Sequence, residues 1–456
     1  MTILDVSPVI APKVGWMMRQ GQAASVSDRE TIFALATAPG RAALAVVRIS
    51  GPKADEALRL LAGDPPRARF MALRTLRAHD GEPLDQALVV RFREGASFTG
   101  ESLVELHLHG GRASVSRMLR ELAEIPGLRM AEPGEFTRRA LRAGRLDLAQ
   151  AESLADLIDA ETEMQRAQAL ALLNGELSRK VALWRGRLIE ALAVIEAAID
   201  FSDEADVPET IGSGLDSSLV ALADELAELS ATRSFGRSLR DGFTVAIIGP
   251  PNAGKSTLLN RMAGEDMAIA SPVPGTTRDL IRVRVDVLGL PVWLVDTAGL
   301  RDTGDEIESI GVARARSAAA AADLRLLVES ADAPWTEETE PARVGDISVW
   351  LKADIGAGRG EISVSVRDDT GIDELRQAIF ERLTMRAPAS SLIATERQAA
   401  HLASSAAFLR AAGSEDRLEI AAEHVRRAAL ELELVVGAVD VEQVLDDVFS
   451  RFCIGK

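Results

Sequence analysis

The sequence predicts a multidomain chain of the α/β plus all-α class, in which one α/β unit is inserted between two helical segments that fold together. Three observations carry this. At 456 residues the chain is too long for one compact core, and domains of about 100–200 residues favour roughly three. Two stretches, Leu146–Leu239 and Glu396–Val448, are dominated by Ala, Leu, Glu and Arg and nearly lack strand punctuation. Strand-and-turn text precedes the first stretch and separates it from the second. Apolar faces in both helical stretches need partners, and the simplest solution packs them together with residues 240–383 inserted between.

In chain order, residues 1–29 read as a loose tail. They lack a basic start followed by an apolar stretch and a small-residue cleavage site, and Asp5, Pro8 and Pro12 interrupt their apolar content. Residues 30–145 read as a mixed α/β domain: strand-like Thr31–Thr37, the breaker Pro39-Gly40, the apolar run Ala42–Val47, then Ala87–Phe92 and Leu103–Leu108. Gly110-Gly111 and a helix through Val115 to Leu122 follow. Residues 146–239 form the first helical part, with Leu154, Leu157 and Ile158 at helical spacing. Residues 240–383 form the inserted α/β domain, and residues 384–456 complete the helical domain.

Hydrophobic residues make up 47% and charged residues 27%, which fits a chain with a real interior, and no apolar run approaches the roughly 20 residues of a membrane span. A single cysteine, Cys453, excludes an internal disulfide framework and a thiolate metal cluster, which points to a reducing compartment, by default the cytoplasm. The net charge of −17 argues against a protein that wraps nucleic acid by overall electrostatics. Any RNA contact must be local or shared.

The inserted domain opens with the buried-strand run Phe243–Ile248, then Gly249-Pro-Pro-Asn-Ala-Gly254-Lys255-Ser256 and a helix. That spacing is a P-loop. Glycines let backbone N–H groups curl round phosphates, the helix N-terminus adds partial positive charge, Lys255 reaches the β/γ oxygens, and the Ser256 hydroxyl can ligate Mg²⁺. Gly275-Thr276-Thr277-Arg278-Asp279 offers a switch threonine for the metal. Asp296-Thr297-Ala298-Gly299, ending the strand Pro291–Val295, can hold the metal's water and sense a γ-phosphate. Their order is that of a translation-factor-like GTPase. Base choice falls to Lys352-Ala353-Asp354, because one carboxylate accepts both the N1–H and the N2 amino hydrogens of guanine, a pair adenine lacks. Leu351 stands where the pattern has Asn, which loses a polar contact; weaker binding with guanine preference retained is the expectation. Ser365-Val366-Arg367 is the expected loop at the guanine carbonyl. Leu300 stands where many such enzymes place a water-positioning glutamine, so another polar group is needed, and the acidic stretch Asp302 to Glu308 is near in sequence.

Taken with Pro39-Gly-Arg41, Val47-Arg-Ile-Ser-Gly51, Ser97-Phe-Thr-Gly-Glu101, His109-Gly-Gly111, Pro133-Gly-Glu-Phe-Thr137, Leu146-Asp-Leu-Ala-Gln-Ala-Glu152 and the terminal Phe452-Cys-Ile-Gly-Lys456, these motifs resemble those of the MnmE (TrmE) family of tRNA-modification GTPases, from about Glu30 to Lys456. The resemblance implies a K⁺-stimulated, Mg²⁺-dependent GTPase whose G domains pair across a homodimer. It implies work with a FAD-dependent MnmG-type partner, in a heterotetramer, on the wobble uridine of certain tRNAs, where an aminomethyl-type group is added at C5. It implies GTP contacts at Asn252, Ala253, Gly254, Lys255, Ser256, Thr257, Ser271, Pro272, Val273, Pro274, Gly275, Thr276 and Thr277, besides Asp296–Gly299 and the base loops. Ser256 and Thr277 would hold Mg²⁺, Asn252, Ser271, Val273 and Thr276 would surround K⁺, and Glu308 would orient water beside the catalytic Lys255 and Thr277. The K⁺ would supply charge that other GTPases take from an arginine. The N-terminal domain would bind a formyl- or methylene-tetrahydrofolate one-carbon donor near Arg48, Glu105, Arg145 and Lys456. Arg145 replaces a lysine of some relatives, and a guanidinium fork differs from an ammonium.

The cluster Arg138, Arg139, Arg142 and Arg145 reads equally as a solvated helix face or as a contact to RNA phosphate or a folate carboxylate tail. His107 and His109 share one strand face without a third metal ligand in view, and read as hydrogen-bonded structure. Two rival functions remain: an RNA- or ribosome-assembly GTPase without covalent chemistry, disfavoured because the text from Glu396 is acidic and helical, and a membrane-remodelling GTPase, which lacks a basic-amphipathic tip.

Overall fold

The computed structural model describes residues 30–200, 210–265, 281–296, 317, 319–334, 342–356, 358–385, 387, 392–437 and 455. The expected tail, residues 1–29, lies outside them. The chain forms two compact units, Met1–Arg145 with Phe449–Lys456, and Leu146–Val448.

The first unit is built on a six-stranded sheet of β1 (Thr31–Leu35), β2 (Leu44–Ser50), β3 (Ala72–Arg77), β4 (Pro83–Phe92), β5 (Leu103–His109) and β6 (Leu128–Met130), ordered β3-β4-β5-β2-β1-β6. Alternation decides its two faces. Val47 and Ile49 of β2 and Val104, Leu106 and Leu108 of β5 point to one side, where they are buried against α1 (Ala54–Ala62) and α2 (Arg112–Glu124). Their neighbours Arg48, Glu105 and His107 share the opposite side by the same alternation. On that side Ile32 and Ala34 pack with Phe136 of α3 (Glu135–Arg142) and with Phe98. Gly455, assigned by the sequence reading to the second helical part with the rest of 384–456, packs on β1 instead. A Cβ there would lie 2.1 Å from the Leu35 carbonyl oxygen, and φ is +101°, so only glycine fits this approach.

The second unit begins with α4 (Leu148–Asp159), α5 (Glu163–Leu173), α6 (Glu176–Asp200), α7 (Thr210–Ala231) and α8 (Arg233–Asp241). It contains a six-stranded sheet of β7 (Phe243–Ile248), β8 (Ile281–Val287), β9 (Leu290–Asp296), β10 (Leu324–Ser330), β11 (Ile347–Leu351) and β12 (Ile362–Val364), with α9 (Lys255–Glu265) and α10 (Ile372–Thr384), and it closes with α11 (Glu396–Ala412) and α12 (Leu418–Val436). One apolar core draws on both helical stretches: Leu177, Val181, Trp184 and Leu188 of α6 and Leu222 and Leu226 of α7 meet Leu402 and Leu409 of α11 and Val425 and Leu432 of α12. Helix starts are set locally. Asp147 with Gln150, Thr162 with Gln165, and Thr395 with Gln398 each form a capping box, in which two otherwise unsatisfied backbone N–H groups are paired reciprocally. In α4 the buried positions are Leu148, Ala149, Ala151, Glu152 and Ser153, whereas Ile158 is exposed. The periodic Leu154, Leu157 and Ile158 did not mark the buried face, because this helix docks by its N-terminal half.

The polar joint between the helices and the sheet lies at α4 and α5. Gln165 Nε2 donates to the Arg240 carbonyl (2.8 Å), Met164 N donates to the Gly289 carbonyl (3.2 Å), Arg284 of β8 pairs with Glu161, and Arg240 pairs with Asp156 (2.8 Å). Burial, reinforced by Glu152 and Asp159, pushes the Asp156 carboxyl up to about 6 against the pull of Arg240. Its folded pKa lies above the unfolded 3.8, so its contribution to stability falls as pH rises from about 4 through about 6. The difference in unfolding free energy between wild type and Asp156→Asn, read by urea titration, is expected to fall across that window. A difference flat with pH would refute the assignment.

Candidate active site

The inserted sheet is ordered β12-β11-β10-β7-β9-β8, parallel except for β8 against β9. Successive strands depart to opposite sides of β7, so the crevice beyond its carboxyl end is a topological switch point, where open α/β sheets bind ligands. The loop from Gly249 to Gly254 occupies it. A Cβ on Gly249 would lie 2.2 Å from the Val328 carbonyl oxygen, which excludes every other residue. Asn252 takes the left-handed conformation at φ 64°, which asparagine tolerates better than most side chains, and Gly254 stands at φ 102°.

At the start of α9 the Lys255 side chain is buried, and its Nζ donates to the carbonyls of Gly249 and Pro250, both at 2.7 Å. The Ser256 hydroxyl donates to Asp296 Oδ2 at 2.6 Å, and Asp296, at the end of β9, is fully buried. The sequence-predicted Lys255, Ser256 and Asp296 thus converge at one helix N-terminus. Ala253 is buried in the core, whereas Thr257 is exposed.

The base loops meet at the same end of the sheet. Lys352, at φ 57°, donates from Nζ to the Asn252 carbonyl (2.9 Å) and to Asp332 Oδ2 (2.6 Å). Lys352 and the Ser330 hydroxyl hold the Asp332 carboxyl below the usual carboxylate range. Asp332 was not found from sequence; the signal was the turn Ser330-Ala-Asp332 closing an apolar strand. The Ser365 hydroxyl donates to Asp354 Oδ1 (3.3 Å) and to Asp368, and the exposed Arg367 lies 3.9 Å from Asp354. Val366 packs on the core. Leu351 is fully buried, with Cδ1 3.2 Å from where a Cβ on Gly254 would stand. It therefore packs under the phosphate loop, where an asparagine would have offered a polar contact. Ser271, Pro272, Val273, Pro274, Gly275, Thr276, Thr277, Thr297, Ala298, Gly299 and Glu308 lie outside the described residues.

In the first unit Arg48 donates to Glu105 Oε1 from Nη2 (2.9 Å) and Nε (3.1 Å), and its guanidinium lies 5.7 Å from the ring centroids of both Phe98 and Phe136. Neither phenylalanine was singled out from sequence, because nothing local links them to Arg48. His107 Nε2 lies 3.6 Å from Glu105, while His109 pairs with Asp85 at 2.7 Å, so the two imidazoles share no ligand centre. Arg145 Nη1 donates to the Gly95 carbonyl at 3.4 Å, and Lys456 lies outside the described residues. The arginine cluster is not one solvated face: Arg139 is buried and pairs with Glu101 (3.1 Å) and Glu135 (2.9 Å).

A phosphate-type loop at the switch point, its lysine buried against that loop, and a serine–aspartate pair at the helix start define a P-loop GTPase domain carried in a larger helical scaffold. The family model described as "MnmE helical domain" matches residues 148–453, and "GTP-binding protein TrmE N-terminus" matches residues 31–145. The chain is 49% identical to the tRNA modification GTPase MnmE of Azorhizobium caulinodans, covering 94% of this chain and 99% of the relative. It is 46% identical to that of Dinoroseobacter shibae, covering 94% and 100%. The chain belongs to the MnmE family of tRNA modification GTPases.

Proposed function

We propose that this chain hydrolyses GTP in the cytoplasm in the service of tRNA modification, adding a carboxymethylaminomethyl or aminomethyl group at C5 of the wobble uridine together with a FAD-dependent MnmG-type partner. The observation that supports it most directly is the convergence of Lys255, Ser256 and Asp296 at the end of β7 in a chain of this family.

Lys255 Nζ donates to two neutral carbonyls at the loop, which places its ammonium where β/γ-phosphate oxygens would enter. Ser256 and Thr277 would hold Mg²⁺ through their hydroxyls, and Asp296, whose Oδ2 lies 2.6 Å from the Ser256 hydroxyl, would hold the metal's water. The metal would neutralise charge developing on the transferred phosphoryl group. Asp354 reads the guanine edge, so GTP is taken and ATP refused, with Ser365, Val366 and Arg367 at the carbonyl side of the base and Asp332 fixing Lys352. In the same reading Asn252, Ser271, Val273 and Thr276 surround K⁺ when G domains pair in the homodimer, and Glu308 orients the attacking water. Residues 30–145 bind the tetrahydrofolate one-carbon donor, with Arg48, Glu105, Arg145 and Lys456 at the ligand. The helical domain, 146–239 with 384–448, carries the G domain of 240–383.

The test is GTP turnover in matched KCl and NaCl buffers for wild type, Asn252→Ala and Asn252→Gly. Glycine keeps the left-handed turn that alanine strains, so a K⁺-specific acceleration lost in both variants assigns it to the asparagine side chain. Turnover indifferent to the cation in wild type removes the K⁺ site. It would leave the RNA-assembly GTPase as the reading to pursue.

A further inference from the structure

The connection from β4 to β5, residues 93–102, links the Arg48–Glu105 pair to a group of arginines of which the proposed function uses Arg145 alone. At one end its Phe98 ring lies 5.7 Å from the Arg48 guanidinium. Two and three residues earlier the loop receives arginines on its carbonyls: Arg69 Nη2 on Ala96 (3.1 Å) and Arg145 Nη1 on Gly95 (3.4 Å). Arg93 opens the loop, and its carbonyl accepts from Ala96 N (3.0 Å). The segment before β3 is held alongside, since Arg69 N donates to the Arg91 carbonyl (2.8 Å) and Arg91 Nε to the Pro66 carbonyl (2.8 Å). In its turn the Arg67 guanidinium stacks on Phe70 at 4.6 Å.

Arg67, Arg69, Arg93 and Arg145 are exposed, and among the described residues none of them has an ion-pair partner; the acids nearest them in sequence are Asp64 and Glu94. Arg91, on the same edge, shows the contrast, because Asp55 neutralises it at 2.7 Å. The local charge is also out of keeping with the chain. Residues 30–145 carry 18 Lys and Arg against 14 Asp and Glu, whereas the whole chain carries 52 against 69. Two of these guanidiniums are tethered by backbone carbonyls and one by an aromatic ring, so they are partly ordered before any ligand arrives, with N–H groups left to donate to carboxylates. The span from Phe98 to Gly95 is at most about 10 Å of extended chain. The α3 arginines offer no such group, since Arg139 is spent on Glu101 and Glu135.

The geometry points to Arg67, Arg69 and Arg93, with Arg145, as a subsite for the oligo-γ-glutamyl tail of the folate, so that the polyglutamylated one-carbon donor is bound in preference to the monoglutamyl form. This rests on the reading of the first unit as a folate-binding domain. A ligand ring at Arg48–Glu105 sends its carboxylate arm along the 93–98 loop, and each further glutamate meets a guanidinium that has no counter-charge.

The experiment is calorimetric titration of the full-length protein with monoglutamyl and pentaglutamyl 5-formyltetrahydrofolate. Wild type is expected to bind the pentaglutamyl form about tenfold more tightly, as a few exposed ion pairs allow. That ratio should shrink as salt is raised, because exposed pairs are screened. The triple variant Arg67→Gln, Arg69→Gln, Arg93→Gln, which keeps side-chain length and polarity at the surface, should bring the ratio close to one. Equal affinities in wild type, with measurable binding of both, would overturn the tail subsite and leave the folate reading standing. No binding of either form would remove the folate reading and the subsite with it. A ratio that survives in the triple variant while tRNA affinity drops would assign the arginines to RNA phosphates and overturn the proposal.

Discussion

Lys255→Ala is expected to lower kcat/KM for GTP by about a thousandfold, since removing a single preorganised donor to developing transition-state charge costs about 10²–10³ in rate and this donor also binds the ground-state phosphates. The loss should fall on both parameters: KM or nucleotide Kd rises, and single-turnover rates at saturating GTP also fall. The Lys255 ammonium occupies a buried position between the Gly249 and Pro250 carbonyls, so the variant leaves two acceptors without that donor and a small void at the start of α9. About 1–3 kcal/mol of local destabilisation follows. Thermal melts of the apo protein therefore accompany the kinetics, to separate a site lost by unfolding from one lost by chemistry. Lys255→Arg is the sharper control. It keeps the charge, but a guanidinium is too bulky for the slot between the two carbonyls, and turnover should stay well below wild type. A Lys255→Ala enzyme with a normal melt and turnover within about threefold of wild type would remove this residue from the catalytic account, against the magnitude expected of such a donor.

Much of this architecture is legible in the sequence because the determinants are local. The strand Phe243–Ile248 shows as a continuous apolar run, since a central parallel strand is covered on both faces, and β7 is buried along nearly its whole length. Spacing places Lys255 and Ser256 after it, and their convergence with Asp296 follows once parallel pairing sets Ile247 beside Asp296. What the sequence hides is non-local. Gly249 could have been read as mere loop flexibility; only the Val328 carbonyl, supplied by β10, shows that a side chain has no room there. Asp332 escaped notice for the same reason: its partner Lys352 lies 20 residues on, across a parallel pair. Periodicity also misled in α4, where Leu154, Leu157 and Ile158 promised a buried face that polar contacts to Arg240 and Arg397 put elsewhere. Arg139 was read as part of a basic cluster that was equally a solvated helix face or a contact to RNA phosphate or a folate tail, yet two carboxylates take it out of solvent, and no pattern around Arg138–Arg145 distinguishes the buried arginine from its exposed neighbour Arg142.

The largest stability effect is expected at Arg397, which ties three helices of the second unit together. Its guanidinium donates to both Glu152 oxygens (3.3 and 3.0 Å) and, through Nη1, to the carbonyls of Leu434 (2.6 Å) and Val435 (3.1 Å), the last turn of α12, which ends at Gly437 with φ 76°. Glu152, nearly buried on α4, also accepts from Gln398 Nε2 at 3.0 Å. A cation at a helix C-terminus and a carboxylate with three donors are each satisfied by the other, across 245 residues of chain. Arg397→Ala takes the cation from a carboxylate that has little access to water and from two carbonyls at once. About 3–5 kcal/mol of unfolding free energy is expected to be lost, the range for breaking a buried pair by removing one partner. Glu152→Ala alone should cost a similar amount, because the guanidinium then loses its counter-charge in the same enclosure. The double variant Glu152→Leu, Arg397→Met distinguishes the causes. If the damage comes from an orphaned charge, replacing both partners by apolar groups of similar volume recovers most of the loss, and urea midpoints of the double variant lie between those of wild type and either single variant. If the two losses simply add, the pair is not coupled, and the clamp joining α4, α11 and α12 is packing rather than charge.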